Sequence, residues 1–357
     1  MIEKKPFGQT PSGETAFAYE LVCNQTRARV SDFGATLLSL ECPDTTGATA
    51  DIVLGFANIE GYAGENGACY GGTIGPVANR TDRAEVPLGA CVYHLTQNDG
   101  PTGENNLHSD LERGLHKRLW SARPDEDSNS VTFTTTLSDG ELGLPGNRTF
   151  SARYSLEEKD GATELTVTYG CTTDAATYVN MTNHSYFNLS GHASGTVREE
   201  MATIDADFFL PVREDSVSEG EIRPVDGTPF DFRAPRAFGE HIDDKDVQIE
   251  RARGYDHCFC VRGYAPGAAP RHALHVEDLA SGRVLDISIT APGAHLYTGN
   301  WLSDSNVKDA ASYSPQSGFA FEPEFYPDCV HHPDWPQSAC TPESPYSSTI
   351  VYCLSAR

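Results

Sequence analysis

The segment ELTVTYG, residues 164–170, decides the fold class because branched and aromatic residues alternate in it with polar ones. A period of two is typical of a β-strand with one buried face, whereas a helix repeats every 3.6 residues. The same alternation, or the same richness in β-branched and aromatic residues, recurs in VTFTTTL (131–137), RVLDISIT (283–290) and STIVYCL (348–354). These four segments therefore predict strands.

Short clusters of Gly, Pro, Asn and Asp interrupt the predicted strands and have the composition of turns. They stand at 98–106, 138–147, 158–162, 190–195 and 262–270. The best helical pattern is the short piece RAFGEHID (236–243), so we expect few and short helices. Without regular alternation of strand and helix, the chain predicts an all-β fold: a large antiparallel β-sandwich that residues 1–357 form as a single domain.

The charge of the chain restricts its partners. Its 357 residues include 26 basic and 51 acidic side chains, which gives a formal net charge of −25. Phosphate backbones and anionic membrane surfaces repel such a protein, so neither nucleic acid nor membrane is expected as a partner. No apolar run is long enough for a membrane helix, and the first residues lack the apolar core of a signal peptide. We therefore expect a cytoplasmic protein.

The ten cysteines are scattered, and no CxxC pair occurs among them. Reduced and mostly buried thiols are expected, with Cys258 and Cys260 on the same side of a core strand. The common cofactor motifs are also missing, since GGTIG (71–75) does not match GxGxxG and the chain has no GxxxxGK[ST], GxSxG, HExxH or EF-hand pattern. Dinucleotide binding, nucleotide hydrolysis, serine-esterase chemistry and zinc proteolysis lose their usual support.

Four polar runs place ionisable residues where a strand or its edge is predicted. They are GGTIGPVANR (71–80), NNLHSD (105–110), YVNMTNHSYFNLSG (178–191) and GFAFEPEFYPDC (318–329). In the third run a period of two puts His184, Tyr186 and Asn188 on one face.

Each polar residue alone also fits a structural role, such as a hydrogen-bonded strand histidine or a solvated rim carboxylate. Together, an imidazole, a carboxylate, an Arg and an Asn among aromatic rings suit an uncharged, polyhydroxylated ligand. The combination points to a carbohydrate.

The same runs resemble those of the aldose 1-epimerase (galactose mutarotase) family. The similarity covers nearly the whole chain, and TNHSYFNL and YTGNWL are its most specific parts. The matching segments are DFGATLLSLECPDTTG (32–47), DIVLGF (51–56), GGTIGPVANRT (71–81), NNLHSD (105–110), NMTNHSYFNLSG (180–191), FDFR (230–233), GYDHCF (254–259), LYTGNWL (296–302) and FEPEFYPD (321–328).

The resemblance implies a β-sandwich enzyme, an isomerase that interconverts the α and β anomers of free hexoses such as galactose and glucose in an open cleft. It implies no metal and no organic cofactor, a monosaccharide as substrate, and a monomer or weak homodimer. Carried over by position, Glu322 is the general base and His184 the general acid. The sugar contacts implied are Asn79, Arg80, His108, Tyr186, Asp256 and His295.

Several positions depart from the family pattern. Pro76 replaces an Arg, Ser109 and Asp110 replace two glycines, His295 replaces a Gln, and Glu324 replaces the Gln of Glu-x-Gln. We expect His295 and Asp110 to bear most on the choice of sugar. Because the acid must hold its proton near neutral pH, we also expect a carboxylate, either Asp256 or Glu322, to raise the pKa of His184.

Three alternatives remain at this point. In a glycoside hydrolase, Glu322 and Glu324 would share a strand face, although Pro323 between them and the presence of His184 argue against it. A non-catalytic carbohydrate-binding protein would need the aromatics and hydrogen bonds but no acid–base pair. A metal site at His331 and His332 is less favoured, because HHPDWP has the composition of a surface turn.

Overall fold

The computed structural model describes residues 2–357, which are mostly β-structure. In the N-terminal half the strands are β1 (Glu3–Gln9), β2 (Thr15–Cys23), β3 (Thr26–Ser31), β4 (Thr36–Pro43), β5 (Thr49–Asp51), β6 (Thr73–Ile74), β7 (Arg80–Thr81), β8 (Glu85–Leu88), β9 (Cys91–His94), β10 (Asn106–Leu107), β11 (Ser121–Asp125), β12 (Ser130–Leu137), β13 (Arg148–Lys159) and β14 (Ala162–Thr173).

The C-terminal half continues the β-structure. Its strands are β15 (Thr177–Tyr178), β16 (Thr182–Asn183), β17 (Tyr186–Phe187), β18 (Met201–Ile204), β19 (Ala206–Phe209), β20 (Arg223–Pro224), β21 (Arg236–Ala237), β22 (Asp256–Val261), β23 (Arg271–Asp278), β24 (Arg283–Ile289), β25 (Gly293–Tyr297), β26 (Phe319–Glu324), β27 (Ala339–Cys340) and β28 (Tyr346–Ala356). The helices are α1 (Ile59–Ala63), α2 (Val247–Ala252) and the 3₁₀ turns Asp82–Ala84, Leu115–Lys117, Glu141–Gly143, Lys308–Ala310 and Cys329–His331.

A nine-stranded antiparallel sheet forms one large layer, in the order β11-β12-β13-β14-β28-β24-β23-β18-β21. The four predicted strand segments are all in it, as parts of β12, β14, β24 and β28. Along β14 the side chains alternate between buried and half-buried positions, because every second residue faces the core. The prediction of an antiparallel all-β fold with few short helices is confirmed.

A six-stranded sheet, β17-β26-β25-β22-β19-β20, lies against this layer, and β1 to β5 form a five-stranded meander. Phe187 of the six-stranded sheet packs on Tyr352 of the nine-stranded sheet, with ring centroids 5.3 Å apart. Tyr19 of the meander packs on Phe133 of the nine-stranded sheet at 5.7 Å. Burying each such side chain contributes about 1.5–3 kcal/mol, so the contacts between layers stabilise the fold and fix the six-stranded sheet in place.

The prediction of a helix at 236–243 is wrong. Arg236 and Ala237 pair with β18 as strand β21, and the chain then turns at Gly239, where a Cβ would lie 2.9 Å from the backbone oxygen of Arg198. The helix begins later, at Val247, where the side chain of Asp246 accepts a hydrogen bond from the Gln248 N–H. Among the described residues, no helix is both long enough and apolar enough to cross a bilayer.

The thiols follow the sequence prediction. All ten cysteines are free and seven of them are buried. Cys258 and Cys260 pack in one apolar cluster beside Tyr326 and Cys329.

Candidate active site

One face of the six-stranded sheet carries a row of polar and aromatic side chains. Tyr297 on β25 pairs with Asp256 on β22 and with Ala320 on β26, and His295 pairs with Glu322. Since alternate residues of a strand point to the same face, these pairings set Asp256, His295, Tyr297 and Glu322 side by side. The opposite face of the sheet belongs to the core.

The edge strand β17 extends this row. Tyr186 pairs with Ala320, and the ring of His184, two residues earlier, lies over the Tyr186 ring with centroids 5.1 Å apart. The predicted common face is confirmed for His184 and Tyr186, which both line the cleft described below. Asn188 does not line it, because its side-chain amide donates to two backbone carbonyl groups.

A clasp between two loops closes the opposite wall. Asn79 and His108 both have left-handed backbones, with φ of 59° and 54°. The Asn79 N–H donates to His108 Nδ1 at 3.1 Å, and the His108 N–H donates to the Asn79 carbonyl oxygen at 3.1 Å. The pairing of Arg80 with Leu107 continues the contact. This reciprocal bonding holds two unfavourable backbone conformations and turns Arg80 and His108 toward the sheet.

Between the clasp and the sheet lies a cleft of about 460 Å³. Its lining includes every residue that the sequence proposed for the site, namely Asn79, Arg80, His108, His184, Tyr186, Asp256, His295 and Glu322. A wider groove of about 700 Å³ lies elsewhere, around Arg233 and Arg236, and contains none of these residues. The structure therefore brings the predicted set together in one place.

His184 and Glu322 face each other at the bottom of the cleft. His184 Nε2 lies 3.5 Å from Glu322 Oε1, and both side chains are buried, with 7% and 3% of their surfaces exposed. His184 Nδ1 and Glu322 Oε2 have no hydrogen-bond partner among the described residues. An imidazole and a carboxyl group at this separation, each with an unused polar atom, can bind and move protons on a guest molecule.

Burial controls the protonation of this pair. It lowers the pKa of His184 to about 4, since the raising influence of its own backbone and of Asp256 is weaker than the loss of solvent. It also raises the pKa of Glu322 well above its ordinary value, with Asp256 acting in the same direction. Asp256 therefore raises the pKa of His184, as expected, but burial outweighs this contribution and the net shift is downward. Burial therefore favours the form of the pair in which the imidazole is neutral and the carboxyl group is protonated.

Asp256 carries the fixed negative charge of the cleft. Burial acts to raise its pKa, but the hydrogen bond from His295 Nε2 at 2.8 Å and the charge of Arg80 lower it to about 2. Arg80 lies between two carboxylates, 2.9 Å from Asp99 and 3.9 Å from Asp256. These charges compensate one another and hold the donor groups of Arg80 in the wall of the cleft.

A metal ion does not fit the cluster of ligand types in the cleft. His108, His184 and Glu322 each offer one atom, all within 4.8 Å of one another. However, His108 Nδ1 accepts the Asn79 N–H, so its Nε2 carries the proton and has no free electron pair for a metal. At the other candidate position, His331 Nδ1 bonds to Asp328 at 2.7 Å, and His332 stacks on Trp335 in a surface turn.

Sequence reasoning missed two aromatic residues of the cleft. Tyr297 follows His295 by two residues, so the alternation of β25 could have placed it in the row. Trp301 lies at the rim and is 56% exposed, with the Arg253 guanidinium 3.9 Å from its ring centre. The backbone N–H of Trp301 donates to the Tyr297 hydroxyl at 3.1 Å. Both are in the motif YTGNWL, but no residue pattern marks Trp301 as a rim residue.

The departures from the family pattern differ in their surroundings. His295 lines the cleft, as expected. Asp110 does not line it; its carboxylate instead accepts hydrogen bonds from Arg113 and Thr96, so it has no direct contact with the cleft. Ser109 Oγ bonds to both the N–H and the carbonyl of Val77 and has a structural role.

The sequence was compared with protein families and with known proteins, and both comparisons point to one enzyme family. The family model described as aldose 1-epimerase matches residues 18–353. The chain is 38% identical to human galactose mutarotase over 357 residues, covering 99% of this chain and 98% of the relative. It is 35% identical to aldose 1-epimerase of Escherichia coli K12 over 324 residues, 90% of each chain.

The fold is also found in solved structures of similar proteins. An aldose epimerase homologue from C. elegans superposes with a TM-score of 0.85 at 28% identity, over 96% of this chain and 99% of that chain. Galactose 1-epimerase from Lactobacillus acidophilus shares the fold, with a TM-score of 0.83 at 24% identity over 100% and 99% of the two chains. Because the family model matches residues 18–353 and both relatives are at least 35% identical over 90% or more of each chain, this chain belongs to the aldose 1-epimerase family.

Proposed function

We propose that this protein is an aldose 1-epimerase that interconverts the α and β anomers of free hexoses such as galactose and glucose. The observation that carries the proposal is the separation of 3.5 Å between His184 Nε2 and Glu322 Oε1 at the bottom of a polar, aromatic-lined cleft. Anomer exchange needs one group to accept a proton and another to donate one on neighbouring oxygens of the sugar. Membership of the family supports the same reaction.

The ring opens when the C1 hydroxyl loses its proton and the ring oxygen gains one. Glu322, ionised, accepts the hydroxyl proton, and the C1–O1 bond becomes a carbonyl. The electron pair of the breaking bond between C1 and the ring oxygen moves to that oxygen, which takes a proton from His184. After rotation about C1–C2 the two residues exchange roles, and the ring closes on the other face of the carbonyl. Each proton transfer contributes roughly 10²- to 10⁴-fold in rate.

The protonation of the pair suits this cycle. After ring opening Glu322 is protonated and His184 is neutral, which is the form that burial favours. The charged form, needed at the start, is reached when sugar hydroxyls provide the hydrogen bonds that the buried atoms lack. The two forms differ only by the position of one proton, so no proton is exchanged with solvent during turnover.

The other proposed residues bind the sugar. His108 presents an N–H donor, because its second ring nitrogen is occupied by the Asn79 N–H. Arg80 adds donors, while Asp256 accepts from sugar hydroxyls. His295 and Tyr186 line the sheet side of the cleft, and Asn79 completes the clasp.

Polarimetry of freshly dissolved α-D-galactose and α-D-glucose tests the proposal. The wild-type protein should accelerate the optical change, and His184→Asn and Glu322→Gln should each lose at least about 100-fold in kcat with the fold intact. His241→Asn, a surface histidine variant, is the matched control and should keep full activity. Near-normal turnover by either site variant would show that the assigned role is wrong.

Two alternatives give different results in the same assays. A binding protein without catalysis would leave the polarimetric rate at its spontaneous value. A glycoside hydrolase would release the aglycone from aryl glycosides, whereas an epimerase would not. The position of Glu324 disfavours hydrolysis, since its Oε1 accepts from Asn79 behind the lining of the cleft.

We further propose a single catalytic domain that acts in the cytoplasm as a monomer or weak homodimer. One buried apolar cluster with side chains from all three large sheets supports the single domain. The free, mostly buried thiols suit a reducing compartment. Sedimentation equilibrium over a range of protein concentrations measures the oligomeric state, and a stable assembly larger than a dimer would contradict the proposal.

A further inference from the structure

We propose that Glu324 is a positioning residue that works as a neutral carboxylic acid and holds the two walls of the sugar cleft from behind. The inference rests on the proposed function, because it concerns how the sugar-binding groups of that site are arranged. It differs from the roles assigned above, since Glu324 is outside the cleft lining and would act only through its neighbours.

Glu324 touches both walls. Its side chain is buried, with none of its surface exposed. Oε1 accepts a hydrogen bond from Asn79 Nδ2 at 3.1 Å and lies 3.6 Å from His295 Nδ1. Oε2 has no partner among the described residues. A buried carboxyl group with only one hydrogen bond is expensive to keep unless it is neutral.

The orientation of Asn79 depends on this contact. Its Oδ1 accepts the Arg80 N–H at 2.8 Å, so its amide nitrogen must point to Glu324. The same residue forms the clasp with His108. A hydrogen-bond acceptor at position 324 therefore fixes the Asn79 side chain, and through it the positions of Arg80 and His108 at the sugar site.

On the side of the second wall Glu324 lies against His295, whose Nδ1 has no hydrogen-bond partner among the described residues. The opposite nitrogen of its ring donates to Asp256 at 2.8 Å, and Asp256 stands next to Arg80. Glu324 thus contacts Asn79 on the clasp side and His295 on the sheet side, and these two residues separate it from the cleft. It is hydrogen-bonded to the first of the two proposed sets of sugar-binding residues and in contact with the second.

The charges around Glu324 favour its neutral form. The nearby titratable groups are Glu322, Asp256, Arg80, His295, Tyr178, Tyr346, Cys258 and Cys329. The one arginine among them is already between Asp99 and Asp256. Burial, followed by the charge of Glu322, raises the pKa of Glu324 well above its ordinary value. A protonated Glu324 leaves the negative charge to Glu322, where the reaction needs it.

A neutral acid and a carboxamide offer Asn79 the same carbonyl oxygen. Glutamine should therefore replace Glu324, while leucine, of similar size but without an acceptor, should not. Leucine leaves the buried Asn79 amide nitrogen without a partner, so sugar binding weakens more than the chemical step. This separates a positioning role from a catalytic one.

The kinetic test compares Glu324→Leu, Glu324→Gln and wild type at pH 7 with α-D-galactose. Glu324→Leu should raise KM about tenfold or more with a smaller change in kcat, and Glu324→Gln should recover most of that loss. Glu200→Gln, a second buried carboxyl position outside the cleft lining, should leave KM unchanged. If Glu324→Gln binds as poorly as Glu324→Leu, the ionised carboxylate is required and the proposal is overturned.

An infrared difference spectrum, wild type minus Glu324→Gln at pH 7, tests the protonation directly and does not depend on Glu324→Leu folding. The expected result is the carbonyl band of a protonated carboxylic acid, and a carboxylate band in its place would overturn the proposal. If the wild-type protein did not accelerate anomer exchange, the proposed function would fail, yet the spectrum and calorimetric sugar binding would still decide the state and role of Glu324.

Discussion

The strands β14 and β26 show two ways of placing polar residues in a sheet. In β14 the apolar residues Leu165 and Val167 face the core, while Thr166 and Thr168 next to them are half-buried. In β26 every residue is buried, and the side that turns from the core carries Glu322 and Glu324. The clasp and neighbouring loops cover that second side. Polar groups on β14 keep partial contact with water, whereas those on β26 depend on neighbours or on a bound proton.

The two strands are therefore expected to differ in what they contribute: β14 to the stability of the fold and β26 to the activity of the site. A core position of β14 contributes to folding through apolar burial and has no contact with the cleft. The carboxyl groups of β26 cost free energy of folding, because burial opposes their ionisation, and the roles proposed for them concern sugar binding and catalysis. Substitutions in the two strands should therefore change different observables.

The largest effect should come from combining the two catalytic variants. Each single variant, His184→Asn or Glu322→Gln, removes one half of a proton-transfer unit, so the double variant should lose no more than about tenfold beyond the worse single variant. Polarimetric kcat values for the three proteins measure this coupling. Losses that multiply would indicate that the two residues act independently, contrary to the shared-proton mechanism.

A core change in β14 should give the opposite pattern. Leu165→Ala is expected to reduce the free energy of unfolding by about 2–5 kcal/mol, because it removes buried methyl groups and leaves a cavity. Urea denaturation measures the loss, and kcat of the folded variant should stay within about twofold of wild type. Thr166→Ala, at the next and half-buried position, is the control and should change stability by less than about 1 kcal/mol.

The stability of the site should depend on pH through His184. Its pKa is about 4 in the folded chain and 6.5 ordinarily, so the unfolded chain binds the extra proton between these values. A neutral His184 therefore makes its full contribution to the free energy of unfolding above pH 6.5, and this contribution is lost as the pH falls toward 4.

The free energy of unfolding of His184→Asn minus that of wild type should therefore increase by up to about 3 kcal/mol as the pH falls from 7 to 4. Denaturation at several pH values measures this difference. His241→Asn is the control, since its ring is partly exposed. An unchanged difference across this range would mean that His184 titrates normally.

The smallest effect is expected at the rim. Trp301→Ala removes an exposed aromatic face and its contact with Arg253, so KM for galactose should rise about three- to tenfold with kcat unchanged. Tryptophan fluorescence offers a second readout, because Trp120 and Trp335 are buried and Trp301 is exposed. A sugar-induced change in emission that persists in Trp301→Ala would argue against contact between the sugar and this ring.

Alternation predicted four strands of the nine-stranded sheet, and motif similarity supplied residues that the structure places in the lining of the cleft. The period of two placed His184 beside Tyr186, and the resemblance supplied Glu322 from a distant strand. The clasp was not predictable, because two left-handed backbones and their reciprocal hydrogen bonds depend on contacts between separate loops. Nor was the lowered pKa of His184, since sequence shows which charges are present but not how much water is excluded.

The reciprocal bonding of Asn79 and His108 gives the cleft a wall whose chemistry does not vary with acidity. Burial lowers the pKa of His108 well below its ordinary value, and the backbone amide fixes which nitrogen bears the hydrogen. In the proposed sugar complex this ring therefore offers the same N–H donor and no charge throughout the physiological range. On the proposed mechanism His108 stays unchanged on one side of the sugar, while His184 and Glu322 exchange protons with it on the other.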